Sequence, residues 1–107
     1  MKLQDMIKSI DPALRADAEA LLKSDDFFSL KDFEDGYEAF ISIEDDILLP
    51  EVVLDEDQFI QEYSCSCGGS TGNDICVHIA AVLLGIEQML AAGCDDYHEA
   101  VAKLKHH

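Results

Sequence analysis

The chain has 107 residues, 49% of them hydrophobic, and carries 23 Asp or Glu residues against 7 Lys or Arg, for a formal net charge of −16. This composition excludes an intrinsically disordered chain, and the length suits a single domain with a modest core. The negative charge argues against direct binding to duplex DNA, because such binding relies on Lys and Arg that displace counterions from phosphates.

Two helices are predicted at the amino-terminal end. The first is a short helix over Leu3–Ile10. Asp11 and Pro12 then predict the start of a second helix, because Asp caps free backbone amides and Pro suits the first helical position. This helix extends to about Lys23. Its apolar face consists of Leu14, Ala18, Leu21 and Leu22.

Four strands are predicted next, separated by polar turns. Apolar and polar residues alternate in the second segment, which is typical of a strand with one buried face. Pro50 lies within the third segment and indicates a sheet edge or a bulge, because proline cannot donate a ladder hydrogen bond. The predicted strands are Phe27–Lys31, Tyr37–Ile43, Ile47–Leu54 and Gln58–Cys65, and the turns are Asp35–Gly36, Glu44–Asp46 and Asp55–Asp57.

A long apolar helix is predicted after the strands. It extends from about Ile75 to Ala92 and ends at Gly93, a residue that tolerates the left-handed backbone of a helix stop. Asn73 or Asp74 is expected to cap its first turn.

A last helix is predicted through Lys105, capped by Asp95 or Asp96. Its inward-facing residues are expected to be Val101 and Leu104. The predicted fold is therefore α+β, a small antiparallel sheet of about four strands with packed helices at both ends. We assign it to one domain. Its parts are the amino-terminal helices 1–24, the central segment 27–92 and the carboxy-terminal helix 93–107, within the single domain 1–107.

Three cysteines and a histidine form two pairs within fourteen positions: C-S-C, eight residues, then C-V-H. Side chains of an extended segment alternate, so the first two cysteines project from the same side. The glycine-rich stretch 68–74 can turn the chain back toward them, and the second pair fits the start of a helix. Three thiolates and an imidazole are typical of a closed tetrahedral zinc site. We therefore predict one structural Zn²⁺ per chain, with the ligands Cys65, Cys67, Cys76 and His78.

This segment 65–78, which we call the zinc knuckle, resembles the SWIM zinc finger family together with the apolar helix that follows it. The stretch Cys76–Leu84 is similar to the family's helix, and the strands over Phe27–Tyr63 are similar in layout to those of bacterial members. The resemblance covers about Phe27–Leu90. It implies a zinc-binding module that binds DNA or, more often, other proteins and is not itself catalytic. Members occur in chromatin-remodelling-type ATPases, Mutator-class transposases, a kinase of the MAP-kinase cascade and recombination accessory proteins.

The chain departs from the family pattern at two positions of the zinc knuckle. Val77 stands where members often carry a basic residue, and Gly68 stands where they often carry Pro. Neither change affects metal ligation. The absent base weakens the contact with nucleic acid that the resemblance implies.

Other roles for the cysteines fit the sequence less well. Disulfides are typical of secreted domains, but the charged start Met1–Asp5 lacks the apolar core of a secretory segment. A disulfide between Cys65 and Cys67 would close a strained ring, and redox motifs usually have the spacing C-x-x-C. Cys94 is expected to pack as a small buried hydrophobe or to lie exposed after a helix end. We therefore expect a reducing, cytoplasmic setting.

No catalytic site is predicted. The acidic turns lack the spaced oxygen ligands of an EF-hand loop, and the glycine-rich stretch lacks the Lys of a phosphate-binding loop. Four protein ligands leave a zinc ion no open position for water. His98 is expected to lie on a helix surface without a function. The longest apolar run, Ile79–Ile86, is too short to span a bilayer. We therefore expect neither an enzyme nor a membrane protein.

The middle of the chain is acidic throughout. Between Asp32 and Ala102 there are seventeen Asp and Glu residues and no Lys or Arg. Three interpretations of this acidity stay open. The first is solubility, and the second is adaptation to a salt-rich cell. The third is a surface that binds a basic protein partner or imitates DNA. We predict a protein-interaction module that contains a structural zinc. The module acts either alone or as part of a DNA-transaction assembly. The alternatives are an acidic DNA-mimic inhibitor of a nucleic-acid-binding protein and a direct nucleic-acid-binding zinc finger.

Overall fold

Two helices precede a five-stranded antiparallel sheet and two helices follow it in the computed structural model, which describes residues 2–24, 26–33, 36–43, 46–65 and 75–105. The predicted α+β class is confirmed. The elements are α1 (Leu3–Lys8), α2 (Pro12–Lys23), β1 (Phe27–Phe33), β2 (Gly36–Ile43), β3 (Asp46–Leu48), β4 (Glu51–Leu54), β5 (Ile60–Ser64), α3 (Val77–Ala92) and α4 (Tyr97–Lys105).

The sheet has five strands because the predicted third strand is interrupted at Pro50. Both halves, β3 and β4, pair with β2 in one continuous register that extends from Ile43–Asp46 to Gly36–Val53. The Ala39 amide donates a 3.1 Å hydrogen bond to the Pro50 carbonyl. Pro50 has no amide hydrogen to return, so the ladder breaks there. The register does not shift at Pro50, so of the two predicted alternatives, a sheet edge or a bulge, the bulge is absent at this position.

The strand order is β1-β2-β4-β5, with β3 beside β2. Bulges occur elsewhere: one in β1 between Phe27 and Ser29, and one in the pairing of β4 with β5 near Leu54. β5 begins at Ile60, later than predicted, because Gln58 has a left-handed backbone with φ 66° and belongs to the preceding turn. The Asp55 side chain holds that turn by accepting hydrogen bonds from the backbone amides of Asp57 and Phe59.

α3 is the central element of the core. It contacts the other three helices and the strands β1, β2 and β4. Every residue from Ile79 to Ile86 is buried, which is typical of a helix that is apolar on all sides. Gly85 allows close packing against β1, since a Cβ atom there would overlap Cδ2 of the fully buried Leu30. The sheet face and the helices therefore share one core.

The amino-terminal helices follow the prediction closely. The Asp11 side chain accepts a hydrogen bond from the Ala13 amide, and Pro12 is the first helical residue of α2. α1 ends at Lys8, before its predicted end, because the Ser9 hydroxyl donates to the Met6 carbonyl and terminates the helix. The predicted N-terminal cap of α2 is confirmed.

The start of α3 differs from the prediction. Val77 is its first residue, and Cys76 is the N-cap, with an extended backbone and no capping side-chain hydrogen bond. The Cys76 carbonyl accepts the first helical hydrogen bond, from the Ala80 amide at 3.0 Å. The helix therefore starts two residues after the predicted start near Ile75, and Cys76 and His78 lie at its entry as predicted. Asn73 and Asp74, the expected caps, lie outside the described residues.

The carboxy-terminal end of the fold is capped as expected. Gly93 ends α3 with a left-handed φ of 70°. The Asp96 carboxylate accepts hydrogen bonds from the amides of His98 and Glu99 at the start of α4. Val101 is half-buried against the core, whereas the Leu104 side chain lies outside the described residues. The buried face of α4 also includes Tyr97 and Ala100, which the sequence pattern did not single out.

Two of the predicted turns lie partly outside the described residues. In the turn Asp35–Gly36 this applies to Asp35, and in the turn Glu44–Asp46 it applies to Glu44 and Asp45. Asp46 and the turn 55–57 are exposed, as is typical of solvated acidic groups. Within the described ranges, no helix combines the length and apolarity that crossing a membrane requires.

Candidate metal centre

The first half of the candidate site is positioned by β5. Cys65 directly follows this strand, whose last residue, Ser64, pairs with Glu51 of β4. The Cys65 side chain is half-buried and packs against the hydrophobic core. Pairing with an interior strand therefore fixes where this thiol lies.

The second half is positioned by the first turn of α3. Cys76 is the N-cap of the helix and His78 lies within its first turn. Both side chains are half-buried. The free backbone amides at a helix start favour a nearby negative charge, so this position suits a thiolate ligand.

Three candidate ligand atoms converge between these elements. The Cys65 Sγ lies 3.7 Å from the His78 Nδ1. The ligand atoms of Cys65, Cys76 and His78 all lie within 4.8 Å of one another. For comparison, a sulfur and a nitrogen bound to one tetrahedral zinc lie about 3.6 Å apart, given the usual Zn–S and Zn–N bond lengths. The donor set and the spacing of these side chains therefore fit a zinc ion.

The protonation state of His78 also suits metal ligation. Burial lowers the pKa of the His78 imidazole below its usual value. A lowered pKa favours the neutral ring, which is the form that can donate an electron pair to a metal. His78 is therefore ready to act as a ligand at neutral pH.

The fourth predicted ligand, Cys67, lies outside the described residues, and so does most of the predicted loop that contains Gly68. The structure thus brings together three of the four predicted ligands, and the complete ligand set stays a prediction. No disulfide joins Cys65, Cys76 and Cys94 to one another. Among the described residues, these three ligands form the one cluster of His, Cys, Asp or Glu side chains arranged to hold a metal.

Cys94 lies apart from that cluster. It follows the Gly93 helix stop, is half-buried and packs against the core, and its amide donates to the Met89 carbonyl. Cys94 was expected either to pack as a small buried hydrophobe or to lie exposed after a helix end. It lies after a helix end, and its half-buried side chain contacts apolar neighbours.

His98 has a contact that sequence patterns did not indicate. Its side chain is exposed, yet its Nε2 donates a 2.7 Å hydrogen bond to the Phe28 carbonyl of β1. Nearby, the Asp32 amide donates to the Asp95 carbonyl. These bonds satisfy backbone groups along the outer edge of β1, where unpaired groups otherwise invite pairing with other chains. The partner of His98 is seventy residues away, so no local signal could reveal it.

Comparison with protein families agrees with this geometry. The family model of the SWIM zinc finger matches residues 51–84. This segment is similar to SWIM zinc fingers. The match begins with β4, continues through β5 and ends within α3, so it contains all the predicted ligands. It covers about a third of the chain and is narrower than the predicted range of about Phe27–Leu90.

No curated protein and no solved structure shows significant similarity to the chain. The match to the SWIM zinc finger model supports zinc binding, and the described ligands indicate where an ion would be held. A zinc ion at Cys65, Cys76 and His78 would supply a structural link between the end of β5 and the start of α3.

Proposed function

We propose that this chain is a non-catalytic protein-interaction module whose SWIM zinc finger binds one structural Zn²⁺. The observation that carries the proposal is the convergence of the Cys65, Cys76 and His78 ligand atoms within 4.8 Å. Together with Cys67 they make a closed set of four protein ligands, which leaves no metal position for a substrate or a water molecule.

The charge of the chain supports a protein partner over a nucleic acid. The formal net charge is −16, and three thiolates outweigh the charge of one Zn²⁺, so metal binding does not make the site basic. An acidic surface attracts basic partners and accelerates their association at low salt. We therefore propose a basic protein partner, with membership in a DNA-transaction assembly as one setting for it.

Native mass spectrometry tests the zinc part of the proposal. We expect one zinc per folded chain, and removal of the ion by a chelator should unfold at least the zinc knuckle and α3. A stably folded, metal-free protein with intact thiols would contradict a structural role for zinc.

Selection from a displayed random-peptide library tests the interaction part. The zinc-loaded chain serves as bait and the chelator-treated chain as control, at roughly 150 mM salt. We expect peptides rich in Lys and Arg that bind the zinc-loaded form alone. Failure to enrich any peptide, or equal binding to the chelated chain, would refute an interaction role that depends on the folded finger.

A further inference from the structure

The sheet has an outer face that carries exposed apolar side chains. Ala39, Ile41 and Val52 are fully buried on the face that packs against the helices. Neighbouring residues along a strand project from the opposite face. Phe40 therefore lies on the outer face, where it is 39% exposed. The same alternation around the buried Leu48 places Ile47 and Leu49 on the outer face, 52% and 44% exposed.

These side chains are neighbours across the strands. The continuous register of β2 with β3 and β4 places Phe40 opposite Leu49, and Ile47 is paired with Ser42 next to them. On the other side of β2, Ser29 is paired with Phe40, and Phe28 precedes it as the extra residue of the β1 bulge and is 54% exposed. We call Phe28, Phe40, Ile47 and Leu49 the outer patch. Single exposed apolar residues are common, but a contiguous group of large ones marks an interaction surface.

A pair of carboxylates borders the outer patch. Glu38 and Glu51 are cross-strand partners, one row beyond Phe40 and Leu49 on the same face. Burial, a hydrogen bond with the Glu51 side chain and the Glu51 charge together raise the pKa of Glu38. Like charges placed directly opposite each other in a sheet are destabilising. A cation supplied from outside would relieve this repulsion.

Among the described residues, no Lys or Arg forms an ion pair with Glu38 or Glu51. Lys31 pairs with Glu38 from the β1 side, but its Nζ lies 3.9 Å from the Asp96 carboxylate. Glu62 adds another exposed acid on the same face, opposite Val53. The outer face therefore combines an apolar row with an excess of negative charge.

The charge decides which occupant fits this face. A second copy of the chain would bring another −16 and would place its own carboxylates near Glu38 and Glu51. A nucleic acid would bring phosphates. Only a partner with both apolar and basic side chains complements the two features at once. Building on the proposed interaction role, we infer that the outer patch and the Glu38–Glu51 pair bind a protein segment in which apolar side chains alternate with Arg or Lys.

A synthetic peptide in which Leu and Arg alternate tests this inference on the zinc-loaded full chain, with affinity measured by calorimetry at several salt concentrations. The double variant Phe40→Ser with Leu49→Ser should weaken binding at least about tenfold, because it removes the centre of the apolar contact. The variant Glu38→Gln with Glu51→Gln should also weaken binding and should flatten its salt dependence.

Two matched controls separate this site from general attraction to an acidic protein. The variant Glu56→Gln with Asp57→Asn removes the same number of charges from an exposed turn and should leave affinity unchanged. A peptide in which Ser and Arg alternate has the same charge without apolar contacts and should not bind. Zinc content and thermal melts establish that every variant is folded, so a loss of binding is attributable to the surface.

Several outcomes would overturn the inference. Equal binding of the Ser–Arg peptide, or an equal effect of the turn variant, would mean that only net charge is recognised. Self-association of the chain that the patch variant abolishes would show that a second copy covers the face. If library-selected peptides bind the zinc-loaded chain but ignore the patch variant, this inference fails while the proposed interaction role stands.

Discussion

His78 and Cys65 come from different elements and are thirteen residues apart, yet their ligand atoms lie 3.7 Å from each other. His78 belongs to the first turn of α3, and Cys65 follows β5. A metal bound between them therefore links the sheet to the buried helix. Losing one of these side chains removes a ligand and also releases a link between two parts of the core.

We expect Cys65→Ser and His78→Ala to lose zinc and to melt at a much lower temperature than the unmodified chain. Structural zinc contributes about 10 kcal/mol to the folding of small finger peptides, and a domain of this size has about 5–15 kcal/mol of total stability. Loss of one ligand can therefore exhaust the stability of the fold. Metal content and thermal melts measure the effect.

The matched control for these variants is Cys94→Ser. Cys94 is also half-buried against the core but lies outside the described ligand cluster. It should keep its zinc and lose little stability. Equal melting temperatures for all three variants would show that the ligand assignment is wrong.

At the scale of elements, α3 joins every layer of the molecule. Its long buried stretch contacts three helices and three strands. Helix burial of this kind depends on close packing, and a Cβ atom at Gly85 would overlap Cδ2 of Leu30 in β1. Replacing a helical glycine by alanine usually stabilises the helix, but at Gly85 the close packing counteracts this gain.

We expect Gly85→Ala to destabilise the fold although alanine is the better helix former. The gain in helix propensity is about 1 kcal/mol, whereas extra atoms in a packed core cost about 1–3 kcal/mol. Leu30 is fully buried and has little room to move away. Denaturant unfolding measures the difference in the free energy of unfolding.

The Leu30→Ala background provides the control. There the atoms that clash with a new Cβ are absent, so Gly85→Ala should be neutral or stabilising relative to Leu30→Ala alone. The same loss of stability in both backgrounds would contradict the packing explanation and would indicate another cause for the glycine.

At the scale of the whole molecule, the distribution of charge matters more than any single acid. The net charge of −16 acts over the entire surface, and bases are absent from the middle of the sequence that contains the zinc finger. Such a field repels phosphates and attracts basic partners. Val77 leaves the finger itself without a base.

We expect the zinc-loaded chain not to retard duplex DNA in a gel shift at micromolar concentration and roughly 150 mM salt, since it cannot replace the counterions of the phosphates. A Val77→Lys variant should also fail to bind, because one added base does not offset the field of the whole chain. Micromolar binding by the unmodified chain would instead support the direct nucleic-acid-binding alternative.

Features that depend on neighbouring residues could be predicted from the sequence alone. Asp11 with Pro12 starts α2, Gly93 ends α3 and Asp96 caps α4, because each acts through backbone groups within a few positions. The SWIM-like motif and the three ligands that converge in the structure were predictable for a related reason. The identity and spacing of thiol and imidazole groups express the chemistry of zinc directly.

Other features depended on contacts between residues far apart in the chain. The sequence singled out Pro50, but only its pairing with Ala39 showed that the ladder breaks there without a bulge. The hydrogen bond from His98 to Phe28 joins residues that are seventy positions apart in the sequence. The outer patch could not be predicted either, because its apolar residues have the same sequence pattern as core residues. They are exposed because the helices cover only the other face of the sheet. Sequence patterns thus determined most of the elements and the candidate metal ligands, whereas only the tertiary structure decided which apolar side chains stay exposed. Burial depends on what packs against each face of an element.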